Sequence, residues 1–441
     1  MRSTSDHALW PRRVGQGTRP ATTTAAPAVG LLVPCDDNLG DEVIVTALIS
    51  ALRARWERVT VRGFSAHPHD TTHRHGIPAY ALSGLPGIRK TARLAPQRRS
   101  ARSVAWRERL RDHLARLRYL LRVLGTGVAH ARMAYRQLVH LDLLIIAASD
   151  SLNVTSNHAL LLYKWAWLAR LARTRVVMLS VSLEAQSLWW SRKFLKGVFA
   201  RTDSCTFRDA GSARIARQLG WRSQEGEVVP DLALGLFRAQ GRTFPRPGQA
   251  LTVAFAPVSR DKHSPGLNAA FVAWLLEQGH TVLLFRTEQR DLRAMDEVRY
   301  GLRPDTLARF GSHLRQVAPQ TVNELVNELA SVDCVVASRL HGVAIAHALG
   351  LPVLALAPDR AAAAHMSDLR QLNHCLEQQA MEIADLTRGF GMLAHGLSES
   401  AAAIFAATEL SRRQVAAQYA RVFNGAAPAA PAPVPGPAVI S

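Results

Sequence analysis

The sequence predicts an α/β protein built from two Rossmann-like domains that face one another across a cleft. Three observations predict it. Short β-branched runs alternate with longer stretches of helical periodicity, the signature of βα units and parallel sheets. The alternation occurs in two series, interrupted near residues 238–250. The chain has 441 residues, too many for one ordinary domain, and 48% of them are hydrophobic, enough for two cores.

In the first series, "VGLLVPC" (29–35) reads as a buried strand, followed by the turn "DDNLGD". "DEVIVTALISALRARW" then carries Ile44, Leu48 and Leu52 at helical spacing. "LDLLIIAAS" (141–149), "RVVMLSV" (175–181) and "SCTFRD" (204–209) are further strands, and "AGSARIARQLG" is a helix closed by Gly220. "RAQGRTFPRPGQA" (238–250) is rich in Pro, Arg and Gly without periodicity and reads as a linker. The second series runs through strand "LTVAFAP", helix "GLNAAFVAWLLEQG", strand "HTVLLF", helix "TVNELVNELA", strand "VDCVVAS", helix "GVAIAHALG" and strand "PVLALAP". The expected division is therefore an N-terminal domain over 29–237 and a C-terminal domain over 251–424. Residues 1–28 form a leader that lacks the apolar block of a secretory signal, and 425–441 a Pro/Ala tail; neither has the composition to fold.

Lys and Arg total 54 against 34 Asp and Glu, a formal charge of +20 that favours anionic partners. Much of it lies in an insert at about 89–140. There Leu110, Leu114, Leu117, Leu121 and Leu124 form one helical stripe, with Arg109, Arg111, Arg116, Arg118 and Arg122 on other faces. Such a basic amphipathic helix suits packing on its own domain or contact with an anionic membrane surface. Nucleic acid is not expected as a partner, because no aromatic platform or recognition motif accompanies the charge. Cys35, Cys205, Cys334 and Cys375 form no CxxC pair, which argues against a zinc site and for reduced thiols. No apolar run reaches the roughly 18–20 residues of a membrane span. The expected location is the cytoplasm, with peripheral contact at the inner membrane face.

Ligands of open parallel sheets bind beyond the carboxyl ends of the strands, so polar residues there are the candidates for chemistry. "ASRLHG" places Ser338, Arg339 and His341 between a buried strand and a helix N-terminus. Backbone amides there favour an anion, guanidinium adds a planar charged fork, and imidazole carries a proton near neutral pH. A capped turn with a surface arginine accounts for the same residues without function. "NLGDE" gives Asn38, Gly40 and Asp41 the same placement after the first strand, where capping of the next helix by Asp41 or Asn38 is the plainer reading and a cleft-facing role for Asn38 or Gly40 the alternative. "FRD" sets Arg208 at a strand end as a second anion contact, with Asp209 as a helix cap, and "VVPDLAL" puts Asp231 after a short strand.

Together, "NLGDE", "RDAGS", "PDLA" and "ASRLHGVAIAHALGLPVLAL" resemble the polysaccharide pyruvyl transferase family over most of residues 30–370. The resemblance implies a GT-B-like fold. It implies an enzyme that moves the enolpyruvyl group of phosphoenolpyruvate (PEP) to two hydroxyls of a cell-surface glycan or its lipid-linked precursor, making a pyruvate ketal in exopolysaccharide or cell-envelope biosynthesis. PEP is then a co-substrate, with no further cofactor and no metal. It assigns PEP contacts to Arg208, Arg339, Leu340 and His341. His341 becomes a catalytic acid or base, and Glu184 in "LSVSLEA" a second one, where some relatives carry histidine. The chain departs from the family where Ala147, Ala148 and Ser149 replace a glycine triplet, and where "APDRAAAAH" supplies Arg360 in place of a lysine. The alternatives are a GT-B glycosyltransferase using a nucleotide sugar and a non-catalytic glycan-binding member of the family.

Overall fold

A computed structural model describes residues 27–32, 38–83, 127–147, 156–183, 189–222, 228–237, 242–259, 263–356, 360–376 and 381–423. Two six-stranded, all-parallel sheets organise the chain. The first contains β1 (Ala28–Leu32), β2 (Thr60–Ser65), β3 (Ala79–Ala81), β4 (Leu143–Ile146), β5 (Arg175–Val181) and β6 (Ser204–Phe207), in the order β3-β2-β1-β4-β5-β6. The second contains β7 (Thr252–Ala256), β8 (Thr281–Phe285), β9 (Leu314–Val317), β10 (Cys334–Ala337), β11 (Val353–Leu356) and β12 (Cys375–Leu376), in the order β12-β11-β10-β7-β8-β9. The two orders are the same doubly wound pattern, with the chain reversing direction beside β1 and beside β7. Strands β2, β3, β9 and β12 escaped the sequence reading. β2 (TVRGFS) is interrupted by Arg62 and Gly63, β3 has only three residues, and the last two are edge strands only half-buried. An edge strand has one paired side and needs less continuous apolar sequence.

The helices of the first lobe are α1 (Leu39–Arg55), α2 (Pro68–His75), α3 (127–138), α4 (Ser156–Leu171), α5 (Trp189–Phe199) and α6 (Ala210–Gln218). Those of the second are α7 (Ser264–Glu277), α8 (Asp291–Gly301), α9 (Pro304–Phe310), α10 (Val322–Ala330), α11 (Leu340–Ala348), α12 (Arg360–Asp368) and α13 (Ile383–His395). The leucine stripe of the basic insert lies outside the described residues, as do the leader, the Pro/Ala tail and the Ala148–Ser149 pair. No described helix is long and apolar enough to cross a membrane.

Two features tie the lobes together. The first is α1. Ile44, Leu48 and Leu52 pack into the core of the first sheet as their spacing predicts. Leu39, Val43 and Ala47, also at helical spacing, form a second face buried with Val343 and Ala346 in the core of the second lobe. Apolar on two faces, α1 is therefore an element shared between lobes. The second is α14 (Leu397–Val422), a 26-residue helix that leaves the second lobe and crosses the first. Its Val415, Tyr419 and Val422 join the first sheet's core, and Arg175 Nη1 donates to the Val422 carbonyl at 3.0 Å. At its other end Leu397 packs in the second lobe's core and Ser400 Oγ donates to Gln371 Oε1 at 2.9 Å, so α14 starts on the second lobe and finishes on the first.

Candidate active site

Carboxyl ends of strands from both sheets converge where α1 meets α11. Asn38 caps α1: its Oδ1 accepts from the Gly40 amide at 2.9 Å. The cap is therefore Asn38, with Asp41 a half-buried residue of the first turn. Because the Gly40 N–H is spent on that cap, it is not a free donor for an anion. What glycine supplies at this position is room, since a Cβ there would overlap the imidazole of His341 on the facing helix. The backbones also meet, with Leu39 N–H donating to the Thr287 carbonyl at 2.9 Å and Asn38 bridging Glu288.

Arg339 sits at the N-cap of α11, directly after β10, as its place in "ASRLHG" predicts. Its Nε and Nη2 donate to Asp291 Oδ1 at 3.1 and 2.9 Å, and Nη1 lies 3.4 Å from Glu288 Oε1. Asp291 is buried, and its other oxygen accepts from the Thr287 and Glu288 amides and the Thr287 hydroxyl. One carboxylate thereby orders both the β8–α8 loop and the guanidinium. Burial opposes the charge on Glu288, yet the Arg290 hydrogen bond and the nearby Arg339 and His341 outweigh it and hold the carboxyl below its usual range. His341 is 4% exposed, with Gly40 on one side and the Glu288 carboxylate close enough to couple to it. Ser338 is buried beside them. The Leu340 side chain is 1% exposed and packs with Ala344 and Ala362, so it serves the α11–α12 contact and offers no side-chain surface to a ligand.

Arg208 stands elsewhere. It follows β6, is 5% exposed, and its Nη1 lies 3.4 Å from Asp231 Oδ2. Asp231 in turn accepts from the Ala233 amide at 2.9 Å and caps the 3-10 turn Leu232–Gly235. Asp209 caps α6 through the Ser212 amide and hydroxyl. A cavity of about 10 Å³, the room of one water, lies among Arg208, Asp209, Asp231, His365 and Asp368, and Arg339 is not in its walls. Each guanidinium pairs with carboxylates of its own lobe, Arg208 with Asp231 and Arg339 with Asp291 and Glu288. Glu184, the other expected catalytic group, lies outside the described residues, as does the Arg360 side chain. The strand leading to Glu184 carries a bulge between Met178 and Val181, with buried Ser180 at φ +48°. Such backbone costs on the order of 1–3 kcal/mol and re-aims the chain at a strand end.

Sequence reasoning missed Asp291 and Glu288, because nothing in "TEQRDLRAMDE" marks which acid turns toward a residue 48 positions away. It also missed a buried histidine cluster beside Arg208. His347 Nδ1 lies 3.0 Å from His365 Nε2, with the rings stacked 5.2 Å apart. Burial pushes His365 down to about 4, with Asp231 opposing and Arg208 assisting. Burial, then His365 and His374, lower His347 well below its ordinary value. Burial and the neighbouring Asp209 raise Asp368. Among the described residues, no group of His, Cys, Asp and Glu has the arrangement of a metal site.

The family model for polysaccharide pyruvyl transferase matches residues 38–360. No sequence among the curated proteins matches the chain. Solved structures share the fold at low identity. HepE from Anabaena, crystallised with UDP, has a TM-score of 0.51 at 13% identity, over 90% of this chain and 99% of that one. A glycosyltransferase from Rickettsia africae gives 0.53 at 10%, over 91% and 100%. A UDP-N-acetylglucosamine 2-epimerase homologue from Listeria monocytogenes gives 0.53 at 10%, over 92% and 99%. These are GT-B proteins, and the two facing parallel sheets are that fold.

Proposed function

This chain belongs to the polysaccharide pyruvyl transferase family, and from that premise we propose that it transfers the enolpyruvyl group of PEP to two hydroxyls of a glycan or its lipid-linked precursor. The observation that carries the reading is the placement of Arg339 and His341 at the head of α11, at the carboxyl end of β10, against α1 of the other lobe. A helix start and a guanidinium suit the carboxylate and phosphate of PEP. An imidazole two residues on suits proton transfer.

In this reading, PEP enters beside Arg339 and competes with Glu288 for its outer Nη1. Asp291 keeps the fork oriented from the buried side. A proton reaches the methylene carbon, turning it into a methyl group and leaving C2 electron-poor. One sugar hydroxyl bonds to C2 and gives up its proton. The C2–O bond to phosphate breaks, the second hydroxyl closes the ketal, and its proton leaves with the phosphate. His341 carries protons between hydroxyl and methylene. Such a group typically contributes about 10²–10⁴-fold. Arg208 belongs to the same proposal only if it can exchange Asp231 for the donor; its burial makes a structural role the stronger one.

The test is incubation with PEP and extracted glycan precursors, following inorganic phosphate release and product mass. Phosphate release with a product heavier by one pyruvyl ketal supports the reading. Thermal stabilisation by UDP- or GDP-sugars and not by PEP overturns it in favour of a nucleotide-sugar enzyme. Stabilisation by glycan alone indicates a binding protein.

A further inference from the structure

A cleft of about 260 Å³ is lined by residues of both lobes and shares none of them with the Arg208 cavity. Its walls are one face of α1, the end of α2 and the start of α10, so both lobes build it. Two acids approach it and both are matched. Glu42 is buried and pairs with His75, and Asp70 accepts from Arg74 Nε at 2.8 Å. Arg74 also donates to the Gln320 carbonyl, tying α2 to the second lobe. Arg53 is exposed on the cleft wall and makes no ion pair among the described residues. Ser50, Thr321 and Asn323 add hydroxyl and amide groups, and Ile49 adds an apolar surface. Glu324 lies nearby but is engaged, accepting from the Gln320 amide at 2.8 Å.

We propose that this cleft is an acceptor subsite for a glycan bearing a phosphate or a carboxylate. The anion meets Arg53, and sugar hydroxyls meet Ser50, Thr321 and Asn323. An uncompensated guanidinium among neutral hydrogen-bonding groups selects an anionic, hydroxyl-rich ligand over an apolar one. The cleft begins at Glu42, two residues along α1 from Gly40 and the His341 contact. Arg53 lies 13 residues from Gly40, about 20 Å along the helix axis at 1.5 Å per residue. The acceptor is therefore longer than one sugar, its charge distant from the hydroxyls that react. The inference rests on the reading of the chain as acting on a glycan.

Ligand-observed NMR on the full chain tests it with glucose, glucuronic acid and glucose 1-phosphate as probes. Binding is expected for the carboxylate probe, the phosphate probe or both, and not for glucose; which arm binds identifies the anion. Arg53→Glu is expected to weaken that binding by about tenfold or more, the scale of one charge-assisted contact, and PEP is expected not to compete. Equal binding by glucose, unchanged binding in Arg53→Glu, displacement by PEP, or no binding by any probe overturns the proposal. If PEP neither binds nor reacts while the Arg53-dependent binding persists, the transferase reading fails and the subsite stands.

Discussion

Gly40 and His341, from different lobes and 301 positions apart, touch so closely that no side chain fits between them. The candidate proton carrier is therefore positioned by an interlobe contact and not by its own domain alone. Gly40→Ala forces the ring or the helices apart. We expect a loss of about 1–3 kcal/mol, the usual cost of overpacking, and a fall in turnover larger than any change in PEP affinity. Denaturant unfolding and steady-state kinetics check the two effects separately. Wild-type turnover in a folded Gly40→Ala protein would show that the contact is incidental.

His341→Ala is expected to bind PEP as the wild type does while turnover falls about 10²–10⁴-fold. Calorimetric titration with PEP, beside phosphate-release rates, measures both. Loss of binding with the fold intact would move His341 from proton transfer to donor recognition.

Asp291 is expected to matter through Arg339. Asp291→Asn keeps the shape but removes the charge that holds the guanidinium. PEP affinity is expected to fall, along with about 3–5 kcal/mol of stability where a buried ion pair loses one member. Arg339→Ala is expected to abolish PEP binding while the protein stays folded, because Asp291 keeps its hydrogen bonds from the Thr287 and Glu288 amides and the Thr287 hydroxyl. Thermal melts with and without PEP separate the pair, and an Arg339→Ala protein still stabilised by PEP would remove the proposed donor site.

Arg208→Ala is expected to destabilise the protein by about 3–5 kcal/mol by stranding Asp231 in a buried site. Arg208→Met retains packing and tests function cleanly: wild-type activity assigns Arg208 to the fold, whereas a folded, inactive protein returns it to the donor site.

Stability is expected to fall with acid. His365 titrates near 4 in the fold against 6.5 in the unfolded chain. Between those values the unfolded state binds more protons, so stability rises with pH. It is fully present above about 6.5 and lost as pH drops toward 4, by roughly 3 kcal/mol for this group alone. His347 acts in the same direction. The groups facing this pair are His374, Asp231 and Arg208, together with Asp209 and Asp368 on the cavity wall. His365→Gln is expected to flatten the slope of chemical stability against pH in that window, and an unchanged slope would assign it to other groups.

Local pattern was enough for the strand-end placement of Arg339 and His341, for the Asp209 cap of α6, and for the apolar runs that become β1, β4, β5, β7, β8, β10 and β11; it left the cap of α1 open between Asn38 and Asp41. Buried parallel strands announce themselves because both faces must be apolar. The "NLGDE" and "RLHG" motifs were legible because each is contiguous. The partners of those motifs were not, since a buried ion pair leaves no periodic trace in either of its segments.

By itself, then, the sequence determined two parallel α/β lobes, their family, and which residues stand at the strand ends. Only the tertiary structure decided that Gly40 makes room for His341, that Asp291 holds Arg339, and that Arg208 is committed to Asp231 beside a cluster of neutral histidines. It also decided that α14 runs from the second lobe's core onto the first. The reason is physical: backbone propensity and hydrophobic period act over a few residues, whereas charge pairing and close packing depend on distances set between segments far apart in the chain.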